Sequence, residues 1–288
     1  MDVSAALAAA RLAAPTSAER IPVSVMVFTL DEEIHLPACL DALRWCDDVI
    51  VVDSLSTDGT EELCRRAGVR FYRNRFTGFG DQRNWALAHC RPQHQWVLIL
   101  DADERVTPEL VEELKGCLAT VPPEIGAFRI RRRFHMWGKW LRHSSLYPTW
   151  VVRLVRRDRV RFSNRGHAET QEVEGGIGEL GEDLIDENLK GIEAWRVRQE
   201  RYSEKEAEYE VEQEGKPLDW TGLGAPDGLR RRSAMKQLAA RLPFRGTTYF
   251  LYSYLLRGGF RDGREGFRFC RMKASYQRRV ALKKRALR

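Results

Sequence analysis

At 288 residues the chain has room for one large α/β domain with an appendage, and its 43% hydrophobic content is that of a globular protein. No stretch reaches the roughly 20 uncharged apolar residues of a spanning helix; the six scattered cysteines lack the CxxC or close Cys/His spacing of a zinc site and read as reduced thiols of a cytosolic protein. The net charge of +7 is unevenly spread: Gly228 to Arg288 carries 18 basic against two acidic residues, a net +16, and the chain before it carries −9.

The Ala-rich start, Ala5 to Ala14, has no basic residue ahead of it and is interrupted by Arg11, so residues 1–20 read as a helical or frayed leader rather than a signal sequence. Pro22 to Leu30 alternates β-branched and apolar residues and breaks at Asp31-Glu32-Glu33, predicting a buried strand and then a helix to about Trp45. Val49 to Val52 predicts a second strand, ended by Asp53 and the turn-rich Ser54 to Thr60, with a helix over Glu61 to Ala67. Val69 to Arg73 predicts a third strand, Gln82 to His89 a helix, and Trp96 to Leu100 a fourth strand that stops at Asp101. This alternation is that of a mostly parallel sheet flanked by crossover helices.

From Ala127 to Leu154 the chain turns basic and aromatic, and Val151 to Val155 predicts another strand. Val173 to Leu180 reads as Gly-rich turns, and Asp186 to Glu210 as a charged helix with Trp195 and Tyr202 on an apolar stripe. Residues 214–227 are the linker candidate between a domain over 21–213 and a basic amphipathic helical tail over 228–288.

In open sheets of this kind the ligand crevice lies beyond the carboxyl ends of the strands, where Asp31, Asp53 and Asp101 fall. The Asp101-Ala102-Asp103 triplet can turn two hard carboxylates to one side and hold Mg²⁺ or Mn²⁺, whose shell diphosphate oxygens would complete. A bound metal of this kind neutralises charge developing on a departing nucleoside diphosphate.

Residues about 23 to 200 resemble a family-2, inverting glycosyltransferase with a GT-A fold. Val52-Asp53-Ser54-Leu55-Ser56-Thr57-Asp58-Gly59-Thr60 resembles that family's V-D-x-x-S-x-D-x-T block, whose first Asp contacts the donor base. Phe28-Thr29-Leu30-Asp31-Glu32-Glu33 resembles its opening block, with Asp31 where Asn is usual. Gln82-Arg83-Asn84 resembles its R-N pair, which implies Arg83 near the base or diphosphate; a guanidinium holds phosphate oxygens in a fixed fork. The resemblance thus implies a nucleotide-sugar donor, a UDP-sugar first, bound by Thr29, Asp31, Asp53, Arg83 and Asp101. Within the family, Phe79 to Leu87, Trp137-Gly138-Lys139-Trp140, Tyr147-Pro148, Arg153-Leu154, Asp186 to Gly191, Arg201-Tyr202-Ser203 and Gly258 to Gly263 are most similar to the lipopolysaccharide-core β-glucosyltransferase and polysaccharide group. That likeness implies a lipid-linked or saccharide acceptor.

An inverting transfer needs a base for the acceptor hydroxyl. Glu169 in Gly166-His167-Ala168-Glu169 is the first candidate, with Asp183, Asp186 and Glu187 as rivals. Asp101 and Asp103 are the expected metal ligands and His167 a third. Trp137, Trp140, Tyr147 and Trp150 could stack on acceptor sugars or simply cover the sheet; Arg153 and Arg129 to Arg133 could hold an anionic acceptor. The basic tail, with its apolar run Tyr249 to Leu256, suggests a peripheral place on the cytoplasmic face of an anionic membrane; the alternative is that it packs on the acidic core. A nucleotidyltransferase would carry a basic Gly-rich loop after its first strand, where this chain has Leu30-Asp31-Glu32-Glu33, and the basic stretches match no standard nucleic-acid module, so no nucleic-acid partner is expected.

Overall fold

The structure, a computed structural model, describes residues 21–165, 168–215, 217–226 and 228–287. In chain order, β1 (Val23–Thr29), α1 (Leu36–Asp41), β2 (Asp48–Asp53), α2 (Thr60–Ala67), β3 (Arg70–Arg73), α3 (Phe79–His89) and β4 (Trp96–Asp101) form the alternating half. β5 (Glu104–Val106), α4 (Pro108–Thr120), β6 (Ile125–Met136), β7 (Lys139–Trp140), β8 (Thr149–Arg156), β9 (Val160–Arg165), β10 (Ala168–Val173) and β11 (Gly176–Asn188) follow. α5 (Gly191–Glu212), a 3₁₀ turn (Thr221–Gly224), α6 (Gly228–Ala239), α7 (Arg245–Leu251) with a π-helical continuation (Tyr252–Leu256), a 3₁₀ turn (Gly259–Asp262) and α8 (Gly263–Ala286) close the chain.

One sheet runs in the order β3-β2-β1-β4-β8-β6-β11-β5, with β7 on β6; β9 and β10 form a separate hairpin. The four strands β3-β2-β1-β4 are mutually parallel, as the βαβ alternation requires. β1 is buried almost throughout because helices cover both its faces. Its two-residue period splits the core into layers. Val23, Val25 and Val27 pack with Leu36, Leu110 and Leu114, and Met26 packs with Ala86, Ile99 and Phe162. Register sets Thr29 beside Asp53 and Phe28 beside Asp101, so the acidic strand ends share one edge of the sheet.

The α/β architecture is the one expected; several boundaries differ. α1 ends at Asp41 instead of near Trp45. The segment read as turns and a helix start is the long strand β11, which keeps Asp186, Glu187 and Asn188 in the sheet. Its register against β6 shifts between Glu179 and Asp183, a bulge that breaks the alternation by which a strand is recognised. The helix begins only after Gly191, whose φ of +79° suits a residue without Cβ.

The basic tail packs against the preceding part of the chain. Phe269 of α8 joins Trp195 of α5, Met136 and Leu141 in one cluster, and Tyr276 and Val280 join Ala207 and Tyr202 in another. Lys283 pairs with Glu200 at 2.5 Å and Glu204 at 2.9 Å, and Arg245 with Glu210 at 2.6 Å. Buried Asp262 accepts from the backbone N–H of His143 at 2.9 Å and of Ser144 at 2.7 Å. Residues 214–227 therefore do not divide the chain into separately packed units.

Candidate active site

β4 ends in Asp101, and the turn after it leads straight into β5, so Asp101-Ala102-Asp103 sits between two short extended segments. Ala102 is buried, and the two acids flank it. Arg153 of β8 donates to Asp101 Oδ2 at 2.6 Å and to Glu104 Oε1 at 2.7 Å. Arg83 of α3 donates to Asp101 Oδ1 at 3.2 Å, and Glu104 Oε2 accepts from the Asp101 N–H at 3.1 Å. Burial pushes the Asp101 carboxyl up, but Arg153, Arg83 and Arg132 outweigh it and hold the group well below the usual range. Asp101 is thus a fixed carboxylate.

Asp103 is in the opposite condition. Among the described residues its carboxylate has no hydrogen bond or ion pair, and burial together with Asp186, Asp101, Glu104 and Glu32 raises its pKa well above the ordinary value. Asp186 of β11 is raised to about 6 by burial, Glu104 and Asp101, although Arg132 pairs with it at 3.1 Å and opposes the rise.

The first two strand-end loops are tied to each other. Asp53 is fully buried, and its carboxylate accepts from the Thr29 hydroxyl at 2.8 Å, the Ser56 N–H at 2.8 Å and the Ser56 hydroxyl. Asp31, at φ +53°, accepts from the Thr57 N–H at 2.7 Å, while Glu33 accepts from the Gly59 N–H at 2.8 Å. Glu32 bonds Lys190 Nζ at 2.7 Å and His35 Nδ1 at 2.6 Å. Because His35 Nε2 accepts from the Leu189 N–H at 2.9 Å, its Nδ1 must carry the proton. The end of β11 is thereby fastened to the loop after β1. The three strand-end acids share an edge, but Asp31 and Asp53 hold loops together and Asp101 alone joins the cluster of charges.

Arg83 is buried beneath Phe28 and Phe162, with its guanidinium 5.5 Å and 5.9 Å from the ring centroids, and forms an ion pair with Glu169 of β10. The β9–β10 hairpin reaches it because Asn84 bonds the Phe162 backbone on both sides, at 2.7 and 2.9 Å, and Gly80 lies flat on Ser163, where a Cβ would stand 2.8 Å from the carbonyl carbon. Arginine and asparagine of the Gln82-Arg83-Asn84 motif therefore do different work: one joins the charges, the other seats the hairpin. His167 lies outside the described residues.

Of the rival bases, Asp183 is held by Arg131 at 2.8 Å, Arg133 at 2.6 Å and the Tyr147 hydroxyl at 3.0 Å, and Glu187 by Arg105 at 2.5 Å. Glu169 and Asp186 are the two brought to the Asp101–Asp103 cluster. Arg153, expected on the acceptor, is instead the clamp of Asp101 and Glu104. Trp137 packs in the cluster under α8 with Arg268 over its ring at 5.0 Å, so it serves as cover. Trp140, edge-on to Tyr147 at 5.2 Å, carries Arg133 and Arg142 over its ring, and Trp150 carries Arg129 and Arg131. Sequence reasoning missed Glu104 and assigned Arg132, with the rest of the Arg129–Arg133 run, to the acceptor instead of to Asp186. Glu104 directly follows the two aspartates, and the spacing of the Arg129–Arg133 run could have set Arg132 apart from Arg131 and Arg133 by its opposite strand face.

The cluster thus contains five carboxylates (Asp101, Asp103, Glu104, Glu169, Asp186) and three guanidiniums (Arg83, Arg132, Arg153). Among the described residues no three acidic, His or Cys side chains form a ready-made metal cage. A donor set of one or two carboxylates short of positive charge suits a hard divalent cation that takes further oxygens from a bound diphosphate.

The model of Glycosyl transferase family 2 matches residues 24–178. A lipopolysaccharide core biosynthesis glycosyltransferase, LpsC, of Rhizobium meliloti is 28% identical over 256 residues, which cover 86% of each chain. An uncharacterized glycosyltransferase of Rickettsia typhi is 30% identical over 99 residues, 34% of this chain and 33% of its own. Among solved structures, glucosyl-3-phosphoglycerate synthase of Mycobacterium tuberculosis in complex with phosphoglyceric acid overlaps 76% of this chain and 86% of that one, with 18% identity and a TM-score of 0.47. Because the family model spans more than half of the sequence and includes the Asp101–Asp103 turn, the chain belongs to glycosyl transferase family 2 and is a glycosyltransferase.

Proposed function

We propose that the enzyme transfers a sugar from a nucleotide-sugar donor, a UDP-sugar, to a lipid-linked, lipopolysaccharide or polysaccharide acceptor, with inversion at the anomeric carbon. The observation that carries this reading is the excess of carboxylates at the β4 end, with Asp101 fixed by two arginines and Asp103 without a cationic partner among the described residues. Asp103, with Asp186 beside it, would hold Mg²⁺ or Mn²⁺, which when bound stabilises the negative charge of the departing nucleoside diphosphate. Arg153 and Arg83 keep Asp101 ionised and oriented. Glu169, at the Arg83 edge of the cluster, takes the proton of the acceptor hydroxyl. Trp140, Tyr147 and Trp150 with their arginines present apolar planes and positive charge to an anionic saccharide. The lipopolysaccharide acceptor is supported by the similarity to LpsC along 86% of the chain.

A thermal-shift panel of nucleoside diphosphates and UDP-sugars, with and without Mn²⁺, tests the reading, since a ligand that binds the folded form raises the melting temperature. Stabilisation by UDP that depends on Mn²⁺ and is lost in Asp103→Ala is expected. UDP-dependent stabilisation that persists in EDTA, or transfer by Asp103→Ala at the parent rate, would remove the metal from the proposal.

A further inference from the structure

The C-terminal region has a face that the packing against α5 leaves unused. Leu251, Leu255 and Leu256, Phe260 in the second 3₁₀ turn, and Phe267 at the start of α8 are 47, 53, 81, 52 and 38% exposed. They stand on a rigid base. Phe250 stacks on Tyr254 at 5.2 Å, Phe267 meets Tyr254 edge-on at 5.5 Å, and Phe260 meets it at 6.2 Å. Asp262, between Phe260 and α8, is anchored in the catalytic half through His143 and Ser144. The apolar ridge is therefore held out by the fold and is not an end of chain seeking a place to pack.

Positive charge surrounds this ridge. Arg257, Arg261, Arg264, Arg268 and Arg271 are all exposed, and Arg257, Arg261 and Arg268 form no ion pair among the described residues. The local acids are spent elsewhere, Asp262 on the His143–Ser144 backbone and Glu265 on Lys139. Arg271 lies over the Phe267 ring at 5.6 Å, so the ridge shares an edge with a groove of about 300 Å³ between α5 and α8, floored by Trp195 and Met272 and walled by Arg268, Arg271 and Arg279. Leucine and phenylalanine side chains have no use for a nucleic-acid backbone, and two copies meeting on this face would oppose their own arginines. An apolar ridge bordered by unpaired cations matches a surface that is apolar below and anionic above.

We propose that this face docks the enzyme on an anionic phospholipid bilayer: Leu255, Leu256 and Phe260 enter the headgroup boundary, Arg257 and Arg261 meet lipid phosphates, and the arginine-walled groove takes a further headgroup. Arginine is suited to the last task because its planar fork grips phosphate oxygens in pairs. Attachment of this kind is independent of the transfer reaction and of any metal at Asp103.

The full chain is sedimented with phosphatidylcholine vesicles and with vesicles that also contain phosphatidylglycerol, across a salt series. Sedimentation with the anionic vesicles that weakens as salt rises is expected. Leu255→Asp/Leu256→Asp and Arg257→Glu/Arg261→Glu/Arg268→Glu should each lower partitioning by roughly tenfold or more, with an unchanged melting temperature and unchanged UDP-induced thermal shift. Leu256→Ser, at the most exposed position of the ridge, keeps the test available should the double aspartate unfold. The proposal fails if the parent stays in solution with anionic vesicles at low salt, if the variants bind as well as the parent, or if the same variants abolish binding to a DNA duplex or break a dimer instead.

Discussion

At the scale of single residues, the site pairs a carboxylate held by arginines with one that has no partner among the described residues. Asp103 is crowded by four other acids, and its raised pKa means that its ionised form is disfavoured by folding. Such a group destabilises the fold once the pH exceeds its ordinary value of 3.8, and the penalty grows until the folded pKa is reached. In the absence of metal at neutral pH, Asp103→Asn should therefore melt no lower than the parent. A clearly lower melting temperature would give the residue a structural role. Arg153 is the counterpart: it is buried and satisfies both Asp101 and Glu104. Arg153→Met leaves two acids facing each other and should cost about 3–5 kcal/mol in urea denaturation; a loss below about 1 kcal/mol would show that Arg83 and Arg132 suffice. Glu169→Gln preserves shape while removing the proposed proton acceptor, so turnover should fall by about 10²–10⁴-fold with donor affinity retained. Normal turnover would pass the role to Asp186.

At the scale of elements, the site is assembled by secondary structure that is held by specific side chains. The β9–β10 hairpin that carries Glu169 is seated on α3 by Asn84 and Gly80, and the β11 end is fixed by the Glu32, His35 and Lys190 bonds. α8 illustrates a different balance. Burial and the nearby Lys236 lower the Lys273 pKa from 10.5 to about 8, against the pull of Glu206. A base lowered in this way favours the unfolded chain while both states are protonated, and the penalty fades as pH rises from about 8 to the ordinary value. Lys273→Met should accordingly be more stable than the parent at pH 7, and the difference should shrink when unfolding is repeated in the window above pH 8. Equal stability of the two proteins at pH 7 would mean that the ammonium group is solvated and that the Tyr276 ring, 5.4 Å away, does not bury it.

At the scale of the molecule, the −9 of the first part of the chain and the +16 of the tail meet across α5 and α8, where Lys283, Lys284 and Arg245 face Glu200, Glu204, Glu210 and Glu214. Truncation after Asp227 would expose Trp195 and Ala207 and leave these acids without partners. The shortened chain should lose its cooperative thermal transition or aggregate; a sharp transition at the parent temperature would make the tail an independent unit after all. The tail thus has two faces, one completing the fold and one exposed.

Much of this was legible in the sequence because it is local. The two-residue period of Pro22 to Leu30, the breaks after Leu30, Val52 and Leu100, and the acids at those breaks follow from covalent spacing and strand geometry, and they were enough to indicate a parallel α/β sheet with acidic strand ends on one side. β11 was hidden because its glycines and bulge break the alternation that makes a strand visible, and its Asp186, a long way from Asp103 along the chain, is brought to it only by the sheet. The roles of Arg153 and Arg83 could not be read either, since which carboxylate a guanidinium meets depends on strand order across the sheet. The sequence alone determined the residue types at the strand ends and the excess of charge in the tail. Tertiary structure decided which of those charges neutralise one another and which remain, because partners distant in the chain are chosen by packing and register, which no local pattern encodes.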